Sequence, residues 1–309
     1  MRTTTLLAVA ATLAGSNAAY TYFAPPAPCV TATIACERWV PFAGGPARSL
    51  IYATYSLDAP NRAITRALIM VHGADRNADH YFSTATAAGF LAGALDNTVI
   101  IAPRFAAGDD KVEANEVVWP SRGDSWRSGG MSPSNPTLSS FDFADEILRR
   151  LGNKKNFPNL KAIVVTGHSA GGQFATRYEM SNKVHGTIPG VSITYVVANP
   201  SSYAWPAAVR PLPSGDADLA MADKEALGDS GEKVHTQFTY GPFDSTKVAG
   251  YDRWPAGLEH RAGYTAQESD EQLKKQLVER PQMLKNEDAA LYEQLAAIFR
   301  QDPAAASSS

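Results

Sequence analysis

The chain has 309 residues, 44% hydrophobic and 19% charged, with a formal net charge of −3. That length allows one domain with a sizeable core. The near balance of charge excludes the basic footprint of a nucleic-acid binder and gives no attraction to an acidic membrane surface.

Residues 1–18 read as a signal peptide: Arg2 supplies the positive start, Leu6 to Gly15 is apolar but too short to span a bilayer, and Ser16-Asn17-Ala18 offers a small-x-small cleavage site. A secreted, extracellular protein is expected, and no later segment is long and apolar enough for a membrane span. The two cysteines, Cys29 and Cys36, lie close to the mature N-terminus. In an oxidising compartment such a pair reads as a disulfide, worth about 2–3 kcal/mol for a loop this short. No spacing of Cys, His, Asp or Glu suggests a metal, and no glycine pattern suggests a phosphate or dinucleotide loop, so no cofactor is expected.

Taken in chain order, Glu37 to Phe42 and Ser49 to Ser56 are β-like, and Ala67 to Val71 is continuously apolar, as a strand buried on both faces should be. Ala78 to Leu95 reads as a helix and Thr98 to Ala102 as the next buried strand. Arg104 to Ser139 is a Gly/Ser/Pro-rich insertion. Its Trp119 and Trp126 are candidates for apolar contact with a substrate, or else pins for the loop, and its Asp109, Asp110, Glu113 and Glu116 read as a solvated face. Phe141 to Leu151 carries apolar residues at helical spacing, with Ser140 as cap. Leu160 to Thr166 is a strand, Gln173 to Ser181 a helix, Ser192 to Ala198 a strand, and Val234 to Tyr240 a further β-like run. After Pro281 no β-run is expected. Leu284, Leu291, Leu295 and Ile298 fall at helical spacing, and residues 303–309 form a low-complexity tail. The alternation of strands and helices predicts an α/β fold: a doubly wound, mostly parallel sheet in a single domain over residues 19–302, with an irregular insertion and a helical C-terminus.

The chemistry-bearing motif is Gly167-His168-Ser169-Ala170-Gly171-Gly172, set between an apolar strand and a helix. G-x-S-x-G in that setting is a nucleophile elbow, and its glycines allow a turn too tight for side chains. Ser169 is therefore the candidate nucleophile. The N–H of Ala170, opening the helix, and that of Ala74, in the loop after the first core strand, are the candidate oxyanion donors. His72 reads as a prop for that loop rather than a proton shuttle.

Together, VHGADRNADHYF, APRF, Trp119, Trp126-Arg127-Ser128-Gly129-Gly130, SSFDFADEILRRL, FPNLKAIVVTGHSAGGQ and ANPSSY resemble a family of secreted α/β-hydrolases. More distantly the chain is similar to polyhydroxyalkanoate depolymerase and feruloyl esterase-type enzymes. The likeness runs from about Ala67 to Tyr203 and returns in YDRWPAGLEHRAGY and LVERP, ending at Pro281. It implies an α/β-hydrolase fold and a serine esterase, with catalytic residues in the order Ser, Asp, His. The chain departs from that pattern after Pro281, where neither the expected strand nor a late His is read, and the end of the fold looks replaced or cut off.

A serine needs a base, and the base a carboxylate. His185, His235 and His260 follow Ser169. His185 and His235 read as structural. His260 with Asp244 keeps the family's order, although 16 residues separate them and Asp252 to His260 falls in a lid-like segment. Two functions follow. One is a secreted carboxylic ester hydrolase acting on a small or polymeric ester. The other is a truncated, catalytically inactive member that binds a ligand or partner. Mass spectrometry of the secreted protein should find an N-terminus near Ala19 or Tyr20 and no alkylatable thiol at Cys29 or Cys36 without reductant; an intact Met1 would overturn the leader.

Overall fold

A hairpin opens the sheet: β1 (Glu37–Pro41) pairs antiparallel with β2 (Arg48–Ala53), Glu37 facing Tyr52. A computed structural model describes residues 26–208, 210–213, 238–244, 246–280 and 282–285. The chain continues through β3 (Arg66–Val71), α1 (Ala78–Leu91), β4 (Thr98–Pro103), α2 (Ser140–Leu151), β5 (Ala162–His168), α3 (Ala170–Ser181) and β6 (Ser192–Ala198). It then forms β7 (Arg210–Pro213), β8 (Phe238–Gly241), α4 (Asp270–Glu279) and β9 (Gln282–Lys285).

The strand order β1-β2-β4-β3-β5-β6-β9 is parallel from β4 to β9 and antiparallel only at β1–β2 and β2–β4. This is the expected α/β sheet. β7 and β8 pair separately. Strand alternation splits the core in two. Ile69, Val71, Ile101 and Val165 face Ile147, Leu148, Phe174 and Tyr178 of α2 and α3. Leu68, Met70, Ile100 and Ala102 face Phe82, Ala85 and Ala88 of α1.

Several boundaries differ from the sequence reading. α1 stops at Leu91, and Gly93 in the left-handed region turns the chain away. α2 is capped by Ser139, not Ser140: Ser139 Oγ accepts from the Asp142 N–H at 3.1 Å while the Asp142 carboxylate accepts from the Ser139 N–H at 2.8 Å. Ser140 Oγ instead donates to Trp126 O at 2.7 Å. α4, which has only Leu273 and Gln276 buried, carries too narrow an apolar stripe to be read from sequence.

The expectation of no strand after Pro281 is overturned. β9 pairs in parallel with β6, Tyr195 opposite Gln282 and Ala198 opposite Lys285. A four-residue strand with polar ends gives no run of apolar residues to detect. Leu284, read at helical spacing, lies in β9 instead; Leu291, Leu295 and Ile298, the expected leader at residues 1–18 and the tail fall outside the described residues.

Asp145 ties three elements together. Fully buried on α2, it accepts from the Tyr178 hydroxyl of α3 at 2.7 Å and the Tyr264 hydroxyl, on a 3-10 turn at Gly263–Gln267, at 2.8 Å. Burial pushes its carboxyl up to about 6 despite those two donors and Arg149. Asp145→Ala strands two buried hydroxyls, so denaturant unfolding should show a loss of about 2–4 kcal/mol. Tyr264→Phe should cost less, about 1 kcal/mol.

Candidate active site

β5 and α3 are joined by a single residue, Ser169, at φ 57° and ψ −116°. A non-glycine residue with positive φ is strained by about 1–3 kcal/mol and persists only where its surroundings hold it. Here they do. The Ser169 N–H donates to Ala198 O at the end of β6 at 3.0 Å, and Ser169 O accepts from the Gln173 N–H at 3.0 Å as α3 begins. A Cβ on Gly167 would lie 2.5 Å from the carbonyl carbon of Gly171, and one on Gly171 would lie 2.3 Å from Val71 O. Neither position can carry a side chain without moving backbone. Ser169 is half-buried, and among the described residues nothing hydrogen-bonds to its Oγ. The N–H of Ala170, in the first turn of α3, has no acceptor within the helix.

The same close approach brings the loop after β3 to the elbow, because Gly171 packs on the carbonyls of Val71 and His72. His72 is fully buried against the rings of Trp126 and Phe105, edge to face with both. Its Nε2 accepts from the Phe105 N–H at 3.0 Å, which leaves the proton on Nδ1 to donate to Gly73 O at 2.9 Å. The Arg76 N–H donates to the same carbonyl at 3.3 Å. With Gly73 O held, the Ala74 N–H across that trans peptide points the opposite way and finds no acceptor among the described residues. His72 is a prop, as expected. Burial drives its imidazole down to about 4, so it is neutral at ordinary pH.

The structure corrects the reading of the two tryptophans. Trp119 and Trp126 are both fully buried, stacked respectively on Phe143 (6.1 Å) and Phe105 (5.2 Å). They pin the insertion to the core and present no indole face to a substrate. The acidic face is also partly internal. Glu116 pairs with Arg104 at 3.2 Å and Asp110 with Arg76 at 2.6 Å.

No hydrogen bond joins Asp244 or His260 to Ser169. The exposed Asp244 carboxylate accepts from the Thr246 N–H at 3.0 Å and hydroxyl at 2.6 Å, and those bonds hold it below the usual carboxylate range. His260 is exposed in a left-handed turn, and no hydrogen bond joins it to Ser169 or Asp244. Asp252 is taken by Arg210 at 3.1 Å. His185 lies 3.1 Å from the Tyr195 hydroxyl, and burial, with help from Arg280, pushes it down to about 4. His235 lies outside the described residues.

Residues 68–305 match the alpha/beta hydrolase family. The chain belongs to that family. No curated protein matches it in sequence. Among solved structures it is similar to poly(aspartic acid) hydrolase-1 from Sphingomonas sp. KT-1, with 19% identity, a TM-score of 0.46 and coverage of 82% of this chain and 72% of that one. It is also similar to a poly(3-hydroxybutyrate) depolymerase from Bordetella parapertussis, with 14% identity, a TM-score of 0.44 and coverage of 88% and 93%. The thermostable carboxylesterase EstE1, from a metagenomic library, shows 13% identity, a TM-score of 0.42 and coverage of 85% and 87%.

In this alpha/beta hydrolase the elbow helix carries a polar brace that the sequence reading did not assign. Gln173 Nε2 donates to Ser201 Oγ (2.7 Å) and Ser202 Oγ (2.8 Å) in the loop after β6. Arg177, almost fully buried, donates to Ser202 Oγ (2.9 Å) and Pro255 O (3.2 Å). The ANPSSY segment was the available signal. Asn199, with positive φ, sets its Nδ2 3.4 Å from His168 Nε2 beside the nucleophile. Among the described residues no group of three His, Cys, Asp or Glu side chains could hold a metal.

His72 links this geometry to pH. Its folded value, about 4, lies below the ordinary imidazole value of about 6.5. The stability it supplies is therefore complete above about 6.5 and is lost as pH falls towards 4, about 3 kcal/mol in all. Buried Asp145 and Glu179 regain protons and stabilise the fold over the same range, so the His72 loss is read as a difference: the stability gap between wild type and His72→Gln should change by about 3 kcal/mol from pH 7 to 4, at the expense of the wild type. Identical pH curves would remove His72 from the account.

Proposed function

We propose that the protein is a secreted hydrolase of carboxylic esters, with Ser169 as nucleophile and the Ala74 and Ala170 N–H groups as its oxyanion hole. The observation that carries this is the left-handed Ser169 between β5 and α3, with its Oγ uncommitted and two backbone N–H groups beside the elbow left without acceptors. Ser169 Oγ adds to the ester carbonyl carbon as the carbonyl π pair moves to oxygen, and that oxyanion takes the two N–H donors. Collapse of the adduct expels the alcohol and leaves an acyl-serine, which water then hydrolyses. Secretion is supported by the leader-like residues 1–18 and by the disulfide between Cys29 and Cys36.

The proton of Oγ needs a base, and no described imidazole hydrogen-bonds to it. That observation favours a second reading, a family member that binds without efficient turnover. Oxyanion donors and binding alone leave a residual acceleration of about 10³–10⁴ over water when a triad member is missing. Slow turnover of an aryl acetate is therefore expected, along with weak labelling by a fluorophosphonate, and Ser169→Ala should abolish the labelling. A kcat/KM at or above about 10⁴ M⁻¹s⁻¹ would instead demand a complete triad, and His260→Ala and His235→Ala would then identify the base.

A further inference from the structure

Arg76 stands two residues beyond Ala74 with its backbone in the left-handed region, φ 57°. Its guanidinium does two things at once. Nη1 reaches back to Ala74 O at 3.3 Å. Nε and Nη2 reach forward as a fork onto the two oxygens of Asp110, at 2.6 and 3.0 Å. Asp110 is itself fixed, because its Oδ2 also accepts from the Ala107 N–H at 2.7 Å. The preceding residue, Ala106, accepts from the N–H of buried Trp119 at 2.7 Å. A rigid path therefore runs from the aromatic core, through the insertion, to the carbonyl next to the candidate oxyanion donor.

A forked Arg–carboxylate pair fixes angle as well as distance. The two side chains are 16% and 20% exposed, so this pair is better shielded than an ordinary surface contact. Asp109, 74% exposed, adds little to it. Arg76 also holds Gly73 O through its own N–H. The peptides on both sides of Ala74 are thus gripped by one residue, whose side chain is gripped in turn by Asp110.

We propose that the Arg76–Asp110 pair positions the oxyanion hole, holding the Ala74 N–H at the angle where it meets the developing negative charge. This rests on the reading of Ser169 and Ala74 above. Neither residue touches the reacting atoms, so both are positioning residues. The insertion then serves to set this strut in place, having been shown to present no tryptophan face to a substrate.

The oxyanion forms only after attack, so a misplaced donor lowers kcat and leaves KM nearly unchanged. Removing a donor outright costs about 10²–10³ in kcat, so misplacing one should cost about 10–100-fold. Arg76→Gln and Asp110→Asn should each lower kcat on an aryl acetate by about that factor, with KM held within about twofold and little change in melting midpoint. The double variant should be no worse than Arg76→Gln, since both remove one strut. Arg76→Lys should fail to restore kcat, because an ammonium keeps the charge and loses the fork. Unchanged kcat in Arg76→Gln, a rescue by lysine, or a fall in kcat that tracks lost stability would overturn the proposal. Amide exchange over residues 73–76 gives a readout that needs no turnover: Arg76→Gln should speed it about tenfold at an unchanged melting midpoint, and unchanged exchange also overturns the strut. If Ser169→Ala hydrolyses the ester as fast as the wild type, the nucleophile reading fails, and exchange alone decides the role of the pair.

Discussion

Two backbone carbonyls, Val71 O at the end of β3 and Ala198 O at the end of β6, press against the first turn of α3. They would lie 2.3 and 2.5 Å from a Cβ on Gly171 and Gly172. Protein interiors do not absorb such overlaps, so the helix can sit this deep only where the side chain is a hydrogen. Everything at the site follows from that depth. The chain has one residue in which to turn from β5 into α3, and Ser169 takes up a backbone angle it would otherwise avoid. Its carbonyl is spent on the Gln173 N–H and its N–H on Ala198 O. The hydroxyl is what remains free.

The loop facing the elbow is held by different means. His72 is a neutral spacer whose two nitrogens join the Gly73 carbonyl to the Phe105 N–H. It is packed by Trp126, which in turn leans on Phe105 and Phe174. Aromatic rings that the sequence offers as a substrate surface are the wall behind the oxyanion loop. Such contacts are worth about 0.5–1.5 kcal/mol each beyond area burial, and they fix orientation. The long insertion is irregular in backbone and still anchored, because two large side chains lie in the core and Asp110 reaches back to Arg76.

Local geometry explains which features could be read from the sequence. The elbow, the strands of the sheet and the prop at His72 are written in contiguous residues: glycines around a serine, unbroken apolar runs, a His-Gly after a strand. Each obeys a short-range rule, so each was legible. The direction of Trp119 and Trp126 was not, since a tryptophan in a glycine-rich loop is compatible with a wall or a mouth until the fold closes around it. β9 was missed because four residues with polar ends satisfy a sheet edge without an apolar run. The forked pair of Arg76 and Asp110 spans 34 positions and leaves no periodic trace. Chain order alone put Asp244 and His260 together in the sequence, and Asp244 accepts from Thr246 in its own turn.

The ionisable groups behind the site also separate by sign. His72, at about 4, loses its structural role only in acid. Asp145 and Glu179 are pushed the other way by burial, to about 6 and about 8, so ionising them as pH rises works against the folded state. A general base behaves oppositely, gaining activity as it loses its proton. A rate that climbs with pH between about 5 and 8, while the fold stays intact, cannot originate in His72, which is already neutral there; Asp145 and Glu179 titrate in that range, but neither carboxyl hydrogen-bonds to Ser169. His185, held down to about 4, is silent over the same range. Such a climb, levelling off within that range, would report an imidazole acting on Ser169, and a profile without that step would report backbone donors acting alone.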